Sequence, residues 1–222
     1  MKKIILTLLI FGAVSTLSFA QSTYLEKGQN GFEISSVVSA NENASGFTGR
    51  VGYSFSGVFD LSLSLGRFGY DQQFLGEDLY DTEISPVVTY IPVKQDDSIP
   101  VSFAVNGAYQ RLIYAGDGLD ENNVDMWGDY IIIGASIFSD IEISDAMKFQ
   151  PKAGVLYSTG ETKIEDSSGT TSISNNTTVL NIGVSLIFKT SPGKSFVVNP
   201  SIGIQEDFTT YRLSLGFVLP HN

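Results

Sequence analysis

Phe59-Asp60-Leu61-Ser62-Leu63-Ser64-Leu65 is the stretch that decides the fold, because apolar and polar side chains alternate along it without a break. A hydrophobic period of two is typical of a β-strand with one apolar and one polar face. Similar stretches recur from Gly31 to the C-terminus. The sequence therefore predicts an all-β chain with ten strands. They cover residues 31–39, 46–55, 58–68, 82–93, 100–112, 128–140, 147–159, 177–189, 195–205 and 210–219.

The connections between these strands alternate in length. Short turns are expected at 54–57, 94–99, 144–146 and 191–194, and longer, mostly acidic loops at 41–45, 69–81, 115–126, 160–176 and 206–209. Strands of about 9–11 residues can cross a bilayer when tilted. An even strand number with short turns at one end and longer loops at the other is typical of outer-membrane barrels. We therefore expect a closed antiparallel up-and-down transmembrane β-barrel of eight to ten strands, with both termini in the periplasm.

Strand alternation alone does not say which face points inward. A soluble exported barrel of the lipocalin type, binding a small apolar ligand, would place Leu61, Leu63, Leu213 and Leu215 inside. Two groups of aromatic residues favour the membrane alternative, since bilayer interfaces select aromatic belts. The predicted turn-side belt is Phe32, Tyr53, Phe55, Phe59, Tyr90, Phe149, Phe188, Phe196 and Phe217. The predicted loop-side belt is Phe47, Phe68, Tyr70, Tyr109, Tyr114, Trp127, Tyr130, Tyr157 and Tyr211.

The N-terminus has the features of a secretory signal peptide. Lys2 and Lys3 precede an apolar run over 4–14, and Ser18-Phe19-Ala20 supplies small residues for cleavage after Ala20. This predicts removal of residues 1–20 and a single mature domain over 21–222. The formal net charge of −11 argues against nucleic acid as a partner. With no cysteine, the exported chain has no disulfides to stabilise it.

With this signal peptide, these strands and these connections, the chain resembles the small outer-membrane β-barrel proteins of Gram-negative bacteria. The resemblance includes the final stretch from Tyr211 to Leu219, since such barrels typically end in an alternating strand that closes on an aromatic residue. Here Phe217 is followed by five further residues, so the terminal aromatic is missing. The resemblance implies an outer-membrane location with membrane lipid as the surrounding partner.

The sequence offers little for catalysis. Its one histidine, His221, lies next to the C-terminal residue, and a hydrolytic histidine needs partners that hold it in place. Without cysteine, thiol chemistry and the usual Cys/His metal sites are excluded. We therefore predict that the chain is not an enzyme, with no catalytic residues, no cofactor and no resident metal.

Polar residues on the strand faces opposite the apolar ones are expected to line the barrel interior, because charge facing lipid is costly. They can form a plug of hydrogen bonds and ion pairs, or line a narrow path for ions or solutes; ten strands leave little room, which favours the plug. The predicted interior residues are Glu33, Arg50, Asp60, Glu83, Asn106, Gln110, Lys152, Asn181, Asn199, Gln205 and Arg212.

The long connections are acidic, and the third holds Asp117, Asp120, Glu121 and Asp125. Their oxygens suit a divalent cation, although the spacing does not match a calcium-binding hand. The sequence thus leads to three hypotheses. The first is a structural or adhesive outer-membrane barrel that contacts an extracellular ligand or divalent cation through its loops. The second is a narrow porin-like channel, and the third is the soluble lipocalin-like barrel. No oligomeric state follows from the sequence.

Overall fold

The computed structural model describes residues 24–74, 77–191 and 194–221. Within them no helix is long and apolar enough to cross a membrane. The elements are β1 (Asn30–Ala40), β2 (Ala44–Phe55), β3 (Phe59–Phe74), β4 (Glu77–Val93), β5 (Ser102–Ala115), α1 (Asp117–Glu121), β6 (Asp125–Phe138), β7 (Ile141–Ser144), β8 (Met147–Asp166), β9 (Gly169–Ser191), β10 (Lys194–Ile204) and β11 (Thr209–His221).

Ten strands close into an antiparallel barrel. Each strand from β1 to β5 pairs with the strand that follows it, and so does each strand from β8 to β10. Pairing of β1 with β11 and of β6 with β8 completes the ring. The short strand β7 pairs with the first residues of β8, just beyond the point where the pairing of β6 with β8 ends. It is not one of the ten barrel strands. The predicted closed ten-stranded barrel is confirmed.

The apolar strand faces point outward. Leu61, Leu63 and Leu65 are 46%, 41% and 54% exposed, whereas Ser64 between them is fully buried. Leu213 and Leu215 on β11 are exposed as well. The soluble alternative required these leucines inside, so it is wrong. An apolar outer face over a polar inner face is the arrangement that a lipid environment selects.

The two ends of the barrel differ. The turn end carries Asn30, His221 and the β2–β3 turn, and the loop end carries α1 and the β8–β9 turn. Aromatic rings form a contacting row around part of the turn end, as the sequence predicts there. Ring centroids lie 4.7 Å apart for Phe32 and Tyr53, and 5.1 Å apart for Phe196 and Phe217.

Strands at the loop end are longer than predicted. The expected loops at 69–81 and 160–176 are mostly strand, because β3 continues to Phe74, β4 begins at Glu77, and β8 and β9 pair up to Asp166 opposite Gly169. Both faces of these hairpins are rich in polar residues, so the period-two hydrophobic signal disappears while the backbone pairing continues. Backbone hydrogen bonding between the strands sets where each strand ends, and the side-chain pattern of the sequence does not reveal it.

Candidate functional site

The predicted polar residues of the strands lie on the inner face of the barrel wall. All of them are buried except Asn106, which is partly exposed and accepts a 2.8 Å hydrogen bond from the Thr89 hydroxyl. Gln205 is also buried, in the connection between β10 and β11. These positions are compatible with either a plug or a pore lining, so the role of the residues stays a prediction.

Arg212 on β11 is a buried cationic residue with a polar partner inside the barrel. Its Nη1 donates a 2.7 Å hydrogen bond to Oδ1 of Asn181 on β9. Gly203 on β10 lies between these two strands, and a Cβ there would come within 3.0 Å of both terminal guanidinium nitrogens. The missing side chain at Gly203 therefore makes room for the guanidinium against the wall.

The turn end is occupied by the segment before β1, which the sequence did not identify as part of the interior. Tyr24 lies beside Lys152, whose Nζ donates a 3.0 Å hydrogen bond to the tyrosine hydroxyl and sits 4.2 Å from the ring centroid. Asn199 and Ser185 lie 3.4 Å from the same hydroxyl. Burial, followed by the charge of Glu33, raises the pKa of Tyr24 to about 12, so the phenol stays protonated.

Residues 24–29, which we call the N-terminal segment, are fixed by several contacts. Leu25 is 3% exposed and packs with Ile187, Val197 and Val218. Lys94, just after β4, donates hydrogen bonds to the carbonyl of Leu25 and, at 2.9 Å, to that of Gly57. Burial lowers the pKa of Lys94 to about 8.

Gly57 in the β2–β3 turn permits the close approach of this segment. Its φ of +61° lies in the left-handed region that favours glycine. A Cβ at this position would lie 2.2 Å from the carbonyl oxygen of Glu26. The backbone N–H of Gly28 donates a 2.8 Å hydrogen bond to the carbonyl of neighbouring Ser56. The turn and the N-terminal segment thus fit together without a side chain between them.

Toward the loop end the interior becomes apolar, which corrects the predicted loop-side aromatic belt. Phe68, Tyr70, Tyr114 and Tyr130 point inward and are 6% exposed or less, whereas Phe47, Tyr109, Tyr157 and Tyr211 point outward. The inward residues belong to a set that we call the loop-end cluster. It comprises Ala44, Phe68, Tyr70, Leu79, Val87, Ala108, Leu112, Tyr114, Leu119, Met126, Tyr130, Ile132, Leu156, Val179 and Phe208.

Two buried tyrosine hydroxyls of the loop-end cluster have polar partners. Tyr70 donates to the carboxylate of Asp81 on the adjacent strand, and the hydroxyls of Tyr130 and Thr162 lie 2.6 Å apart. Glu83 is paired across the β4–β5 ladder with Leu112, so a buried carboxyl group lies beside a member of this cluster. The interior toward the loop end therefore combines apolar and aromatic side chains with buried polar groups.

Helix α1 covers part of the loop end. Leu119 is 2% exposed and belongs to the loop-end cluster, while Asp117, Asp120 and Glu121 are exposed. Asp125 is exposed at the start of β6. Among residues 24–74, 77–191 and 194–221, no group of three or more acidic or histidine side chains is arranged to hold a metal ion. The predicted divalent contact therefore has no preformed cluster here and stays a prediction.

No protein-family model and no curated protein matches this sequence, but solved structures resemble it. The translocator domain of the autotransporter NalP from Neisseria meningitidis is 11% identical with a TM-score of 0.59, over 99% of this chain and 94% of that one. Ail of Yersinia pestis is 12% identical with a TM-score of 0.39, over 88% and 100%. An outer-membrane channel from Pseudomonas putida F1 is 11% identical with a TM-score of 0.48, over 89% and 97%. The similarity to the NalP domain extends over nearly the whole of both chains, and this chain accordingly has the fold of the outer-membrane β-barrel proteins.

Proposed function

We propose that this chain is an outer-membrane barrel that does not conduct, and that it presents its acidic loop end outside the cell for contact with an extracellular partner. The loop-end cluster is the observation that carries this proposal. A cluster of contacting apolar side chains hinders the passage of water and ions, so this cluster supports a barrel without an open path through it.

The proposed closure would rest on contributions from both ends. At the loop end, Leu119 packs into the loop-end cluster from α1, outside the barrel wall. At the turn end, Tyr24 and Leu25 come from the N-terminal segment and contact residues of the wall. A solute crossing the barrel would have to displace both. Two obstructions from separate parts of the chain support an anchor more than a pore.

The outer surface of the barrel supports insertion into lipid. Its strands carry exposed aliphatic side chains such as Leu63 and Ile133, and aromatic rings such as Phe217 lie near the turn end. Together with the predicted signal peptide, this surface supports the outer membrane as the location. The loop end is then the extracellular end, because β1 begins and β11 ends at the opposite side of the barrel.

The charged part of the interior favours a narrow channel as the second candidate function. Arg50, Lys152 and Arg212 are buried on the inner wall together with Glu33 and Asp60, an arrangement that would suit an ion path if both obstructions moved. Planar-bilayer recording separates the two functions. The anchor predicts no conductance above that of the bare membrane, and the channel predicts steady steps whose ion selectivity changes in Arg50→Ala.

Site-directed labelling tests which end faces outward. The chain has no cysteine, so a single introduced thiol is a unique label site. Ser168→Cys places it in the β8–β9 turn, and Asp97→Cys places it at the turn end; both positions are exposed. In intact cells a membrane-impermeant maleimide should label Ser168→Cys only, and cell lysis should make Asp97→Cys reactive. Labelling of Asp97→Cys in intact cells, or of neither variant before lysis, would contradict the proposed presentation.

A further inference from the structure

The loop-end part of β9 has one open edge. β9 pairs with β8 along its length, without a shift in register. It pairs with β10 only from Leu180 to its C-terminal end. No strand among residues 24–74, 77–191 and 194–221 pairs with the other side of residues 169–179. The sheet therefore ends at this part of β9.

Every second residue of the open edge directs its backbone N–H and C=O groups away from β8. In an antiparallel ladder, alternate residues bond to the strands on opposite sides. The N–H of Lys189 donates a 2.9 Å hydrogen bond to the carbonyl of Ala146, on the β8 side. Because the register has no shift, the odd-numbered residues of β9 face β8. The residues that face the open edge are Thr170, Ser172, Ser174, Asn176 and Thr178.

The open edge belongs to a strand that is held in place. Ile173 on β9 and Ile164 on β8 are partly buried and pack against the loop-end cluster. The hydroxyl of Thr177 donates a 3.1 Å hydrogen bond to Oε1 of Gln205, near the C-terminal end of the edge. A partner strand would therefore meet a preformed template, which reduces the entropy lost on binding.

The open edge lacks the features by which exposed strands usually avoid pairing. Charged side chains, proline and bulges protect such edges in native proteins. Residues 169–178 contain no charged residue and no proline, and their register with β8 has no bulge. The β3–β4 hairpin differs, because β3 has an irregular register beyond Tyr70 and β4 begins with Glu77 and Asp78. The β9 edge is thus available for pairing, and threonine, its commonest residue, is favoured in strands.

Charges beside the open edge favour one kind of partner. Glu206 and Asp207 are exposed next to the C-terminal part of the edge. On the outer face of β8, Glu165 is exposed, while the ammonium of Lys163 lies 2.7 Å from the carboxylate of Glu161. A second copy of this chain would bring like charges together, whereas a segment with basic side chains would be attracted.

We infer that the open edge of β9 binds an extended segment of a partner protein as an added strand, and that this segment carries basic side chains. The inference rests on the proposed function, since it gives the extracellular loop end a partner class. In this mode of recognition, backbone hydrogen bonds supply the affinity and side chains beside the strand supply the selectivity. The selecting residues here are Glu165, Glu206 and Asp207.

Peptide binding to the full chain in an uncharged detergent tests this inference. The probe is a peptide of about ten residues, the upper end of usual strand lengths, in which threonine and lysine alternate. One counterpart carries glutamate in place of lysine, and the other is the threonine–lysine peptide with methylated backbone nitrogens. Fluorescence anisotropy measures binding at physiological ionic strength, where distant charges are largely screened.

The comparison of the three peptides separates strand pairing from charge attraction. The threonine–lysine peptide should bind, and the glutamate peptide should bind at least about tenfold more weakly. The methylated peptide keeps its charge but has no backbone donors, so it should also bind at least about tenfold more weakly. This comparison uses the unaltered chain and does not depend on the folding of any variant.

Variants of the edge complete the test. Ser172→Pro removes an N–H that faces the open edge and leaves the hydrogen bonds to β8, at an edge position that tolerates proline. It should weaken binding of the threonine–lysine peptide by about tenfold, whereas Ser172→Ala, which keeps the backbone donor, should not. Asp207→Asn should weaken binding by about two- to fivefold, and Asp117→Asn on α1 should leave it unchanged.

Several results would overturn the inference. They are absence of binding by the threonine–lysine peptide, equal binding of its methylated form, and equal affinity of the two Ser172 variants. Concentration-dependent pairing of the unaltered chain that Ser172→Pro abolishes would also overturn it, since a second copy would then occupy the edge. These outcomes leave the labelling and conductance results untouched, so failure of the edge site is distinguishable from failure of the proposed function.

Discussion

Lys152 on the inner wall of β8 donates a 3.0 Å hydrogen bond to the hydroxyl of Tyr24, a residue that precedes the first strand. The same ammonium lies over the tyrosine ring, which combines a hydrogen bond with a cation–π contact. Through this pair the start of the described chain is joined to the interior of its own barrel.

Removing the Tyr24 hydroxyl should destabilise the barrel. In Tyr24→Phe the Lys152 ammonium loses one hydrogen-bond acceptor while remaining buried, so the free energy of unfolding should fall by about 1–3 kcal/mol. Urea unfolding in lipid vesicles, followed by tryptophan fluorescence, measures this change. Tyr211→Phe, at an outward position that is 63% exposed, is the matched control and should have little effect. Equal stability of the two variants would show that the Tyr24 contact is unimportant.

A side chain at Gly57 should displace the N-terminal segment. Gly57→Ala brings a Cβ against the Glu26 carbonyl, whereas Gly28→Ala has a similarly unfavourable φ of +91° but open space around the added atom. Trypsin should therefore cleave after Lys27 faster in Gly57→Ala than in Gly28→Ala. N-terminal sequencing of the remaining chain, beginning at residue 28, identifies this cut. The same cleavage rate in both variants would mean that backbone strain, and not the close approach, determines the result.

Lys94 should give the stability a pH dependence at alkaline pH. Its pKa falls from 10.5 to about 8 on folding, so between these values the unfolded chain binds more protons than the folded one. The contribution of Lys94 to the unfolding free energy should therefore increase with pH across this window, by up to roughly 1.4 kcal/mol per pH unit, and be constant below it. Lys94→Met should lose this contribution, and exposed Lys27→Met should retain it. Unfolding curves from pH 7 to 10.5 that change in the same way for both variants would rule out the effect.

A charge on the apolar outer face should weaken the barrel in lipid. Leu63→Arg places a guanidinium on this surface, where an arginine near the bilayer midplane costs roughly 2–4 kcal/mol. Glu206→Arg, at the exposed loop end, should cost much less. The measurement is the unfolding free energy of each variant in phospholipid vesicles. If Leu63→Arg were as stable as Glu206→Arg, the outer face at this position would not contact lipid.

Much of the fold follows from the alternation of inward and outward side chains along each strand. The error in the loop-side aromatic belt arises where this alternation was not counted along the strand. In unbroken β3, outward Leu65 makes Arg67 outward and Phe68 inward, so Phe68 cannot join an outer belt. The same counting along β5, from outward Tyr109, places Tyr114 inside. The alternation along β3 and β5 thus indicates that Phe68 and Tyr114 point inward. The predicted belt missed this because it grouped aromatic residues only by how close they lie to the loops.

Other features leave no local signal in the sequence. Tyr24 reaches the interior through contacts with Lys152 and Asn199, more than a hundred residues away, and nothing near Tyr24 indicates this. The end of the β9–β10 pairing, at Leu180 opposite Ile204, is likewise a property of the register and leaves no local signal. Predicted interior residues such as Glu33 and Arg212 were accessible to sequence reasoning because each lies between outward apolar neighbours.

Planar-bilayer recording of the purified full chain tests the central claim, closure of the barrel, most directly. The membrane should show no conductance above its bare value, and Tyr24→Ala should also be silent because the loop-end cluster still fills the interior. Reproducible ohmic steps from the unaltered chain would contradict the claim and identify the barrel as a channel.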